Sequence, residues 1–294
     1  MEIIKISVRG LVEFLLRSGS IDKRRGGLAD KEAMQLGSKL HRKIQGRMGP
    51  GYQPEVPLKY TEECEGFTLC IEGRADGIST EGEVPLVDEI KGIYRDVHLL
   101  KEPVNVHLAQ AKCYAYLYGS QHGQASMQVQ MTYCNLETEE IRQFCQTYSM
   151  EELTRWFQEL VEEYKRWCRF QVSWKRERNA SIKKLEFPFP YREGQRELAA
   201  GVYRTIYHKK KLFIQAPTGV GKTLSTVFPA VKAVGEGLGE KVFYLTAKTI
   251  ARTAAEKAFA LLNGQGLCYK AITLTAKERI CPMEEPECNP NACP

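Results

Sequence analysis

The sequence lacks the features of membrane, secreted and fibrous proteins. No stretch of its 294 residues approaches the roughly 18 consecutive apolar residues that a membrane-spanning helix needs. The N-terminal segment contains Lys5, Arg9 and Glu13 and no small-residue cleavage pattern, so we expect no signal peptide. Internal repeats and low-complexity tracts are also absent. With 43% hydrophobic and 27% charged residues the composition is that of a globular protein, and we expect a cytoplasmic location with no membrane partner.

The ten cysteines are therefore expected to be reduced, and to serve as buried thiols or metal ligands rather than as disulfides. The basic excess is confined to the N-terminus, since residues 51–294 contain 31 basic and 31 acidic residues. Residues 1–50 contain 11 Lys and Arg against 5 Asp and Glu, a difference equal to the formal net charge of +6 of the whole chain. This local excess favours an anionic partner such as nucleic acid, with a solvated surface as the alternative.

The first part of the chain, residues 1–178, combines helix and strand patterns. Ser7 is placed to cap a helix, Ser149 and Glu152 form a capping box that opens a long amphipathic helix, and a further helix is expected over residues 31–47. The predicted strands are VPLKYTEECEG, FTLCIEGRADGI, VPLVDEIKG, ASMQVQMTYCNL and EEIRQFCQTYS. These patterns predict a mixed α/β sheet flanked by helices.

A different pattern follows a predicted linker at residues 179–190, in which Pro188 and Pro190 cannot continue a helix. Over residues 191–294 the apolar segments KLFIQA, KVFYLTA and YKAITLTA alternate with helical segments. Alternation of this kind predicts a parallel, doubly wound α/β sheet in the second part of the chain.

A phosphate-binding loop lies between the first of these strands and its helix, over residues 216–223 (APTGVGKT). Gly219 and Gly221 allow backbone N–H groups to turn toward phosphates at a helix N-terminus, Lys222 can reach the β- and γ-phosphates, and the Thr223 hydroxyl can bind Mg²⁺. The strict motif begins with glycine, whereas Ala216 stands there in this chain. Upstream, Gln195 precedes a helix, and its amide can both donate to and accept from an adenine edge.

Three cysteines, Cys281, Cys288 and Cys293, fall in the Pro-, Glu- and Asn-rich segment CPMEEPECNPNACP. Thiolates along an irregular loop can surround a metal centre, although intervals of this size are wider than those usual in zinc sites. An iron–sulfur centre and a zinc-binding interaction loop are the two interpretations.

A third pattern combines carboxylates and a lysine on neighbouring strands of the first part. Glu89 and Lys91 are two residues apart, so they project from one face of a strand, and Asp76 on the preceding strand can approach Glu89 across the pair. Two carboxylates can bind Mg²⁺ or Mn²⁺, and a nearby lysine can position a water or stabilise charge on a phosphate. Solvated charges on an exposed hairpin are the alternative.

Three further residues on predicted helices accompany this set. His41 lies on an inward helix face, where a core histidine is the alternative, and Gln110 and Tyr114 lie one turn apart, where the alternative is a partly buried helix face. In this order the residues resemble the PD-(D/E)XK nucleases of the RecB type over about residues 1–180. The resemblance implies that His41, Asp76 and Glu89 bind the metal, that Lys91 assists hydrolysis, and that Gln110 and Tyr114 support DNA binding.

From about residue 185 onward the chain resembles the N-terminal part of XPD/DinG-like iron–sulfur superfamily 2 DNA helicases, through YREGQRELA, QAPTGVGKT, FYLTAKT and the three late cysteines. That resemblance implies a RecA-like motor domain binding ATP through Gln195, Lys222 and Thr223. It also implies a [4Fe–4S] cluster whose fourth cysteine ligand this sequence does not contain. No Asp-Glu pair of the Walker B type and no second motor domain follow, so we expect a truncated chain that lacks the C-terminal helicase half.

Together these resemblances imply a bacterial DNA-repair nuclease–helicase located at the nucleoid. The sequence predicts metal-dependent DNA hydrolysis by the first part and ATP binding, without unwinding, by the second. The alternative is a non-catalytic DNA-binding module attached to an ATP-binding fragment.

Overall fold

A computed structural model describes residues 2–18, 29–217, 219–247, 249–284 and 288–289. The chain divides into two compact units, the first containing residues 1–169 and 277–294 and the second residues 170–276. None of the helices among the described residues combines the length and hydropathy needed to cross a bilayer.

The first unit is built around a mixed sheet, which confirms the α/β class predicted for it. Its elements are β1 (Glu2–Ser7), α1 (Val8–Leu16), α2 (Ala29–Gln45), β2 (Tyr52–Cys64), β3 (Phe67–Ser79), β4 (Leu86–Ile93), α3 (Asn105–Gln121), β5 (Ser126–Asn135), β6 (Ile141–Ser149) and the start of α4 (Met150–Lys184). The strand order is β1-β3-β4-β5-β6, with β2 also paired to β3. The β1–β3 and β4–β5 pairs are parallel, and the β2–β3, β3–β4 and β5–β6 pairs are antiparallel.

The third strand has an opening along one edge. On one side β2 pairs with β3 along residues 67–79, whereas on the other side β1 pairs with residues 67–72 and β4 with residues 77–79. Among the described residues no strand pairs with residues 73–76 on that second edge, so the end of β1 and the start of the β4 pairing leave a gap. Asp76 lies in this gap. Because no strand of the described chain covers the gap, side chains from other elements can approach this edge of β3 there.

Helices cover both faces of the sheet near this gap. On α2, Leu40 and Ile44 pack against Ile90 of β4 and Cys134 of β5. Since side chains alternate along a strand, Glu89 and Lys91 project from the opposite face, where α3 lies. The first unit therefore has an apolar contact on one face of β4 and the predicted charged residues on the other.

Local capping follows the sequence closely in this unit. Ser7 caps α1, accepting from the Gly10 N–H at 2.9 Å. At the start of α4, the Ser149 N–H donates to the Glu152 carboxylate at 2.8 Å and the Glu152 N–H donates back to the Ser149 hydroxyl at 3.2 Å. The strand β1 ahead of Ser7 was not predicted.

The second unit has its own buried cluster. It contains α5 (Gln195–Tyr207), α6 (Lys222–Gly235) and α7 (Thr249–Gly264). The buried residues are Ile182, Leu185, Leu224, Val227, Val231, Val234, Ala258, Leu262 and Leu267. Ile182 and Leu185 lie inside the segment predicted as a linker, so that segment contributes to the core of this unit; the domain boundaries at residues 178 and 190 stay a prediction.

The parallel sheet predicted for the second part is not formed among its described residues. The three segments expected to be strands carry no strand structure, and their large apolar side chains are exposed: Phe213 by 93%, Leu245 by 89% and Ile272 by 86%. A strand requires partners for its backbone groups, and these segments find none in the described chain. The RecA-like arrangement is therefore not established for this chain.

Candidate functional site

Asp76, Glu89 and Lys91 meet at the gap beside β3. The Asp76 carboxylate accepts a hydrogen bond from the Ile90 backbone N–H at 2.8 Å, and so replaces the strand partner that β4 lacks at this point. Lys91 donates to Glu89 Oε1 at 2.6 Å, as expected for two residues on the same face of one strand. The structure thus brings these three side chains together as the sequence predicted.

Glu89 is the most constrained of the three. Its side chain is buried, and its second oxygen, Oε2, has no hydrogen-bond partner. Burial raises the pKa of Glu89 from 4.5 to about 8; the positive charge of Lys91 opposes this shift, and the negative charge of Asp76 adds to it. A buried acceptor without a partner costs folding free energy, which is typical of a position kept for a ligand.

Helix α3 places two of the predicted residues over the same face. The Lys91 ammonium donates to Gln110 Oε1 at 3.3 Å, and Gln110 in turn donates a hydrogen bond to the Tyr114 hydroxyl. The Tyr114 ring sits against β3, since a Cβ at Gly73 would lie 2.7 Å from its hydroxyl. Burial raises the pKa of Tyr114, and the charge of Glu89 adds to that shift, so the phenol stays neutral. Gln110 therefore links Lys91 to Tyr114 in one chain of hydrogen bonds.

His41 reaches the gap from the other helix layer. Its Nδ1 lies 3.6 Å from Asp76 Oδ1. Below it on α2, Gln45 donates to the Asp76 backbone carbonyl at 2.8 Å and so fixes the position of that residue. Within the described chain, however, no three His, Cys, Asp or Glu side chains stand together at metal-ligating spacing. His41 and Asp76 are adjacent, whereas one oxygen of Glu89 is turned to Lys91.

A second buried carboxyl group, Asp88, stands next to Glu89 in the chain and projects from the other face of β4, as the alternation of side chains along a strand predicts. Asp88 is fully buried on the α2 side of β4, where the Thr132 hydroxyl donates to it at 2.6 Å and the Tyr52 hydroxyl lies 3.5 Å away. Burial raises the pKa of Asp88, and the hydrogen bond from Thr132 opposes that shift. Tyr52 also fills the space over Gly77, where a Cβ would lie 1.8 Å from its hydroxyl.

Residues 216–223 of the second unit, predicted to be a phosphate-binding loop, include two glycines in a left-handed conformation. Gly219 and Gly221 have φ angles of 85° and 75°, a left-handed region that suits glycine, and Gly221 precedes the first residue of α6. Lys222 donates to the Ala216 and Pro217 carbonyls at 2.8 and 2.6 Å. The ammonium group is therefore folded back over the loop.

Gln195 lies beside this loop. Its Oε1 accepts from the Arg192 N–H at 3.0 Å, and its Nε2 would be 2.5 Å from a Cβ at Gly221. Both residues line a cavity of about 260 Å³. The other lining residues are Phe189, Pro190, Arg192, Thr223, Leu224, Ala254, Lys257, Ala258 and Leu261. This set combines apolar walls with an amide and a loop at a helix N-terminus, which is the composition of a small-ligand pocket.

The late cysteines are only partly described. Cys281 and Cys288 are half-buried free thiols, and Cys293 lies outside the described residues, as does the basic segment 21–27 near the N-terminus. Their assignment as iron–sulfur ligands stays a prediction.

Comparisons with known proteins give short or distant similarities. No family model matches the chain. Over 49 residues it is 45% identical to a protein of Methanocaldococcus jannaschii described as a probable ATP-dependent helicase. That match covers 16% of this chain and 8% of the helicase, so the similarity concerns a small part of either protein.

Two solved structures were also matched. The protein SSO0001 aligns with 54% of this chain and 75% of its own, at 20% identity and a TM-score of 0.36. An alkaline exonuclease from Laribacter hongkongensis aligns with 57% of this chain and 94% of its own, at 14% identity and a TM-score of 0.28. Both TM-scores are below 0.5, so neither similarity defines the fold; the chain is a mixed α/β protein with a short sequence similarity to a helicase.

Proposed function

We propose that the first unit is a DNA nuclease that uses Mg²⁺ or Mn²⁺. The observation that carries this proposal is the buried, unpartnered oxygen of Glu89 beside Lys91 and close to Asp76. Glu89 and Asp76, with His41 next to Asp76, would hold the cation, and their oxygen and imidazole donors suit Mg²⁺ or Mn²⁺. When bound, the cation would polarise a phosphate oxygen and lower the pKa of a bound water.

The chain's own residues would then bind and orient the phosphodiester. If Glu89 held a cation, the Lys91 ammonium would be available to neutralise charge that develops on the phosphate. Gln110 holds Lys91 from the helix side, and Tyr114 holds Gln110, so α3 fixes the direction of that ammonium. The binding-only alternative uses the same residues without hydrolysis.

The test is cleavage of end-labelled single-stranded and duplex DNA in the presence of Mg²⁺ or Mn²⁺. We expect Glu89→Gln, which keeps the side-chain shape but removes the charge, to lower the cleavage rate at least about a hundredfold, because a lost cation ligand removes most metal-assisted catalysis. The matched control is Glu83→Gln, on the exposed turn between β3 and β4, which should leave the rate unchanged. DNA binding without cleavage would favour the binding-only alternative, and cleavage unaffected by Glu89→Gln would contradict the site.

We propose further that the second unit binds Mg²⁺–ATP. The left-handed glycines and the folded-over Lys222 support phosphate binding, and the cavity beside Gln195 supports binding of the base. We expect Lys222→Ala to weaken binding of a fluorescent ATP analogue by about tenfold or more, because a charge-assisted contact to the phosphates is lost. Lys210→Ala, an exposed lysine outside the cavity, is the matched control, and equal affinities for both variants would contradict the proposal.

A [4Fe–4S] cluster at Cys281, Cys288 and Cys293 is a separate proposal. Broad visible absorbance after reconstitution with iron and sulfide, lost in a Cys281→Ser/Cys288→Ser variant, would support it. Stoichiometric zinc with no such absorbance would favour the zinc loop.

A further inference from the structure

A histidine of α3 that no pattern singled out lies beside the proposed nuclease residues. His107 precedes Gln110 by three residues and Tyr114 by seven, so the three share one face of the helix. Its Nδ1 is 3.2 Å from the Tyr133 hydroxyl, and the two rings lie 5.9 Å apart. Tyr133 is paired with Lys91 in the β4–β5 register, so both side chains are on the α3 face of the sheet.

The hydrogen bonds of Tyr133 determine which nitrogen of His107 carries the proton. Tyr133 is fully buried, and its hydroxyl oxygen accepts from the Val104 N–H at 2.9 Å. A buried hydroxyl also needs an acceptor for its own hydrogen, and the remaining partner within the described chain is His107 Nδ1. Nδ1 is therefore the acceptor, and the proton of the neutral imidazole is on Nε2.

Nε2 is the ring nitrogen that Tyr133 does not engage. Within the described residues it has no hydrogen-bond partner, and it is not among the buried atoms that lack one, so solvent reaches it. The charges that act on the ring come from Lys91 of β4 and from Arg9 and Glu13 of α1. Burial, with the positive charges of Lys91 and Arg9, lowers the pKa of His107 to about 4, and the charge of Glu13 opposes this shift, so the ring is a neutral donor at neutral pH.

We propose that His107 is a substrate-binding residue of the nuclease, which donates from Nε2 to a phosphate oxygen of the nucleic-acid backbone next to the phosphate held by Lys91. Arg9 is ion-paired with Glu13 at 2.8 Å, which leaves Lys91 as the main positive charge acting on the ring. A neutral N–H donor in the field of Lys91 suits an anionic oxygen, and Tyr133 holds the ring so that no reorientation is needed on binding. This inference rests on the proposed nuclease function and names an additional contact for its substrate.

The test measures the affinity of a fluorescein-labelled single-stranded oligonucleotide in a Glu89→Gln background, in which we expect cleavage to be at least about a hundredfold slower. We expect His107→Leu to weaken binding about tenfold, because a hydrogen bond to a charged oxygen is lost. His107→Gln, whose amide can donate from a similar position, should stay within about threefold of the parent. His98→Leu, an exposed histidine before α3, is the control and should have no effect.

In the protein that retains Glu89, His107→Leu should raise KM more than it lowers kcat, because a lost substrate contact weakens binding. A general loss of packing would not act on KM in preference to kcat. Tyr133→Phe gives an independent test, because it removes the hydroxyl that donates to Nδ1 of His107. We expect it to weaken DNA binding by about threefold. Affinity unchanged by both His107→Leu and Tyr133→Phe would overturn the inference while leaving the nuclease proposal intact. Absence of both cleavage and DNA binding in the unaltered protein would instead remove the nuclease proposal itself.

Discussion

Glu89 is a carboxyl group that burial keeps largely protonated at neutral pH. Its pKa of about 8 in the folded chain exceeds the ordinary 4.5, so the folded state holds a proton that the unfolded state has released. The stabilising contribution of this group is therefore complete below pH 4.5 and is lost as the pH rises to about 8. A position that destabilises the protein at the pH where its charge is needed is typical of functional sites.

The first prediction concerns this residue. We expect Glu89→Gln to raise the free energy of unfolding at pH 8.5 by about 1 to 3 kcal/mol relative to the unaltered chain, because glutamine does not ionise, with the difference vanishing near pH 4. Denaturant unfolding followed by circular dichroism at both pH values measures it. Glu83→Gln, on an exposed turn, should show no such pH dependence, and an equal difference at both pH values for Glu89→Gln would contradict the pKa shift.

At the scale of single elements, two helices of the second unit end in the same way but with different residues. After α5, the Lys209 N–H donates to the Ile206 carbonyl and Lys210 to Thr205, while Lys209 has a φ of 54°. After α6, Gly237 has a φ of 76° and makes the equivalent bond to Val234. The left-handed position costs a side chain about 1 kcal/mol and glycine almost nothing.

The second prediction compares these two helix ends. We expect Lys209→Gly to stabilise the second unit by about 0.5 to 1 kcal/mol and Gly237→Ala to destabilise it by about 1 kcal/mol, because the two changes act in opposite directions on the same backbone conformation. Urea unfolding of both variants measures this. If both variants changed the free energy of unfolding in the same direction, the left-handed backbone conformation would not be what determines the stability of these helix ends.

At the scale of the whole molecule, each unit has its own buried residues and its own candidate ligand. The proposed nuclease residues belong to the first unit, and the proposed phosphate loop and the cavity beside it belong to the second. We therefore expect each ligand to protect the amides of one unit.

The third prediction uses hydrogen exchange to separate the ligands. Mg²⁺–ATP should slow exchange at the phosphate loop and the N-terminus of α6, by stabilising the bound state about 2.7 kcal/mol at a hundred times its Kd. Mg²⁺–ATP should leave hydrogen exchange in β3 and β4 unchanged. Lys222→Ala should abolish the protection of the phosphate loop. Mn²⁺ alone should protect β4 near Glu89. Protection of β4 by ATP would contradict separate sites.

Features that depend on near neighbours along the chain could be predicted from the sequence. The capping of α1 by Ser7, the capping box at α4, the positive φ angles of Gly219 and Gly221 and the shared face of Glu89 and Lys91 all follow from residues within a few positions of each other. Residue spacing and backbone preference are sufficient for such features.

Features that depend on residues distant in the chain became apparent only in the tertiary structure. The gap beside Asp76 exists because β1 and β4 share one edge of β3, and His107 is oriented by Tyr133 on a strand 26 positions away. The buried pair of Asp88 and Thr132 likewise joins two strands. Conversely, the apolar segments of the second unit are predicted to be strands but form none among the described residues. A strand forms only where another chain segment completes its hydrogen bonds, and these segments have no such partner in the described chain.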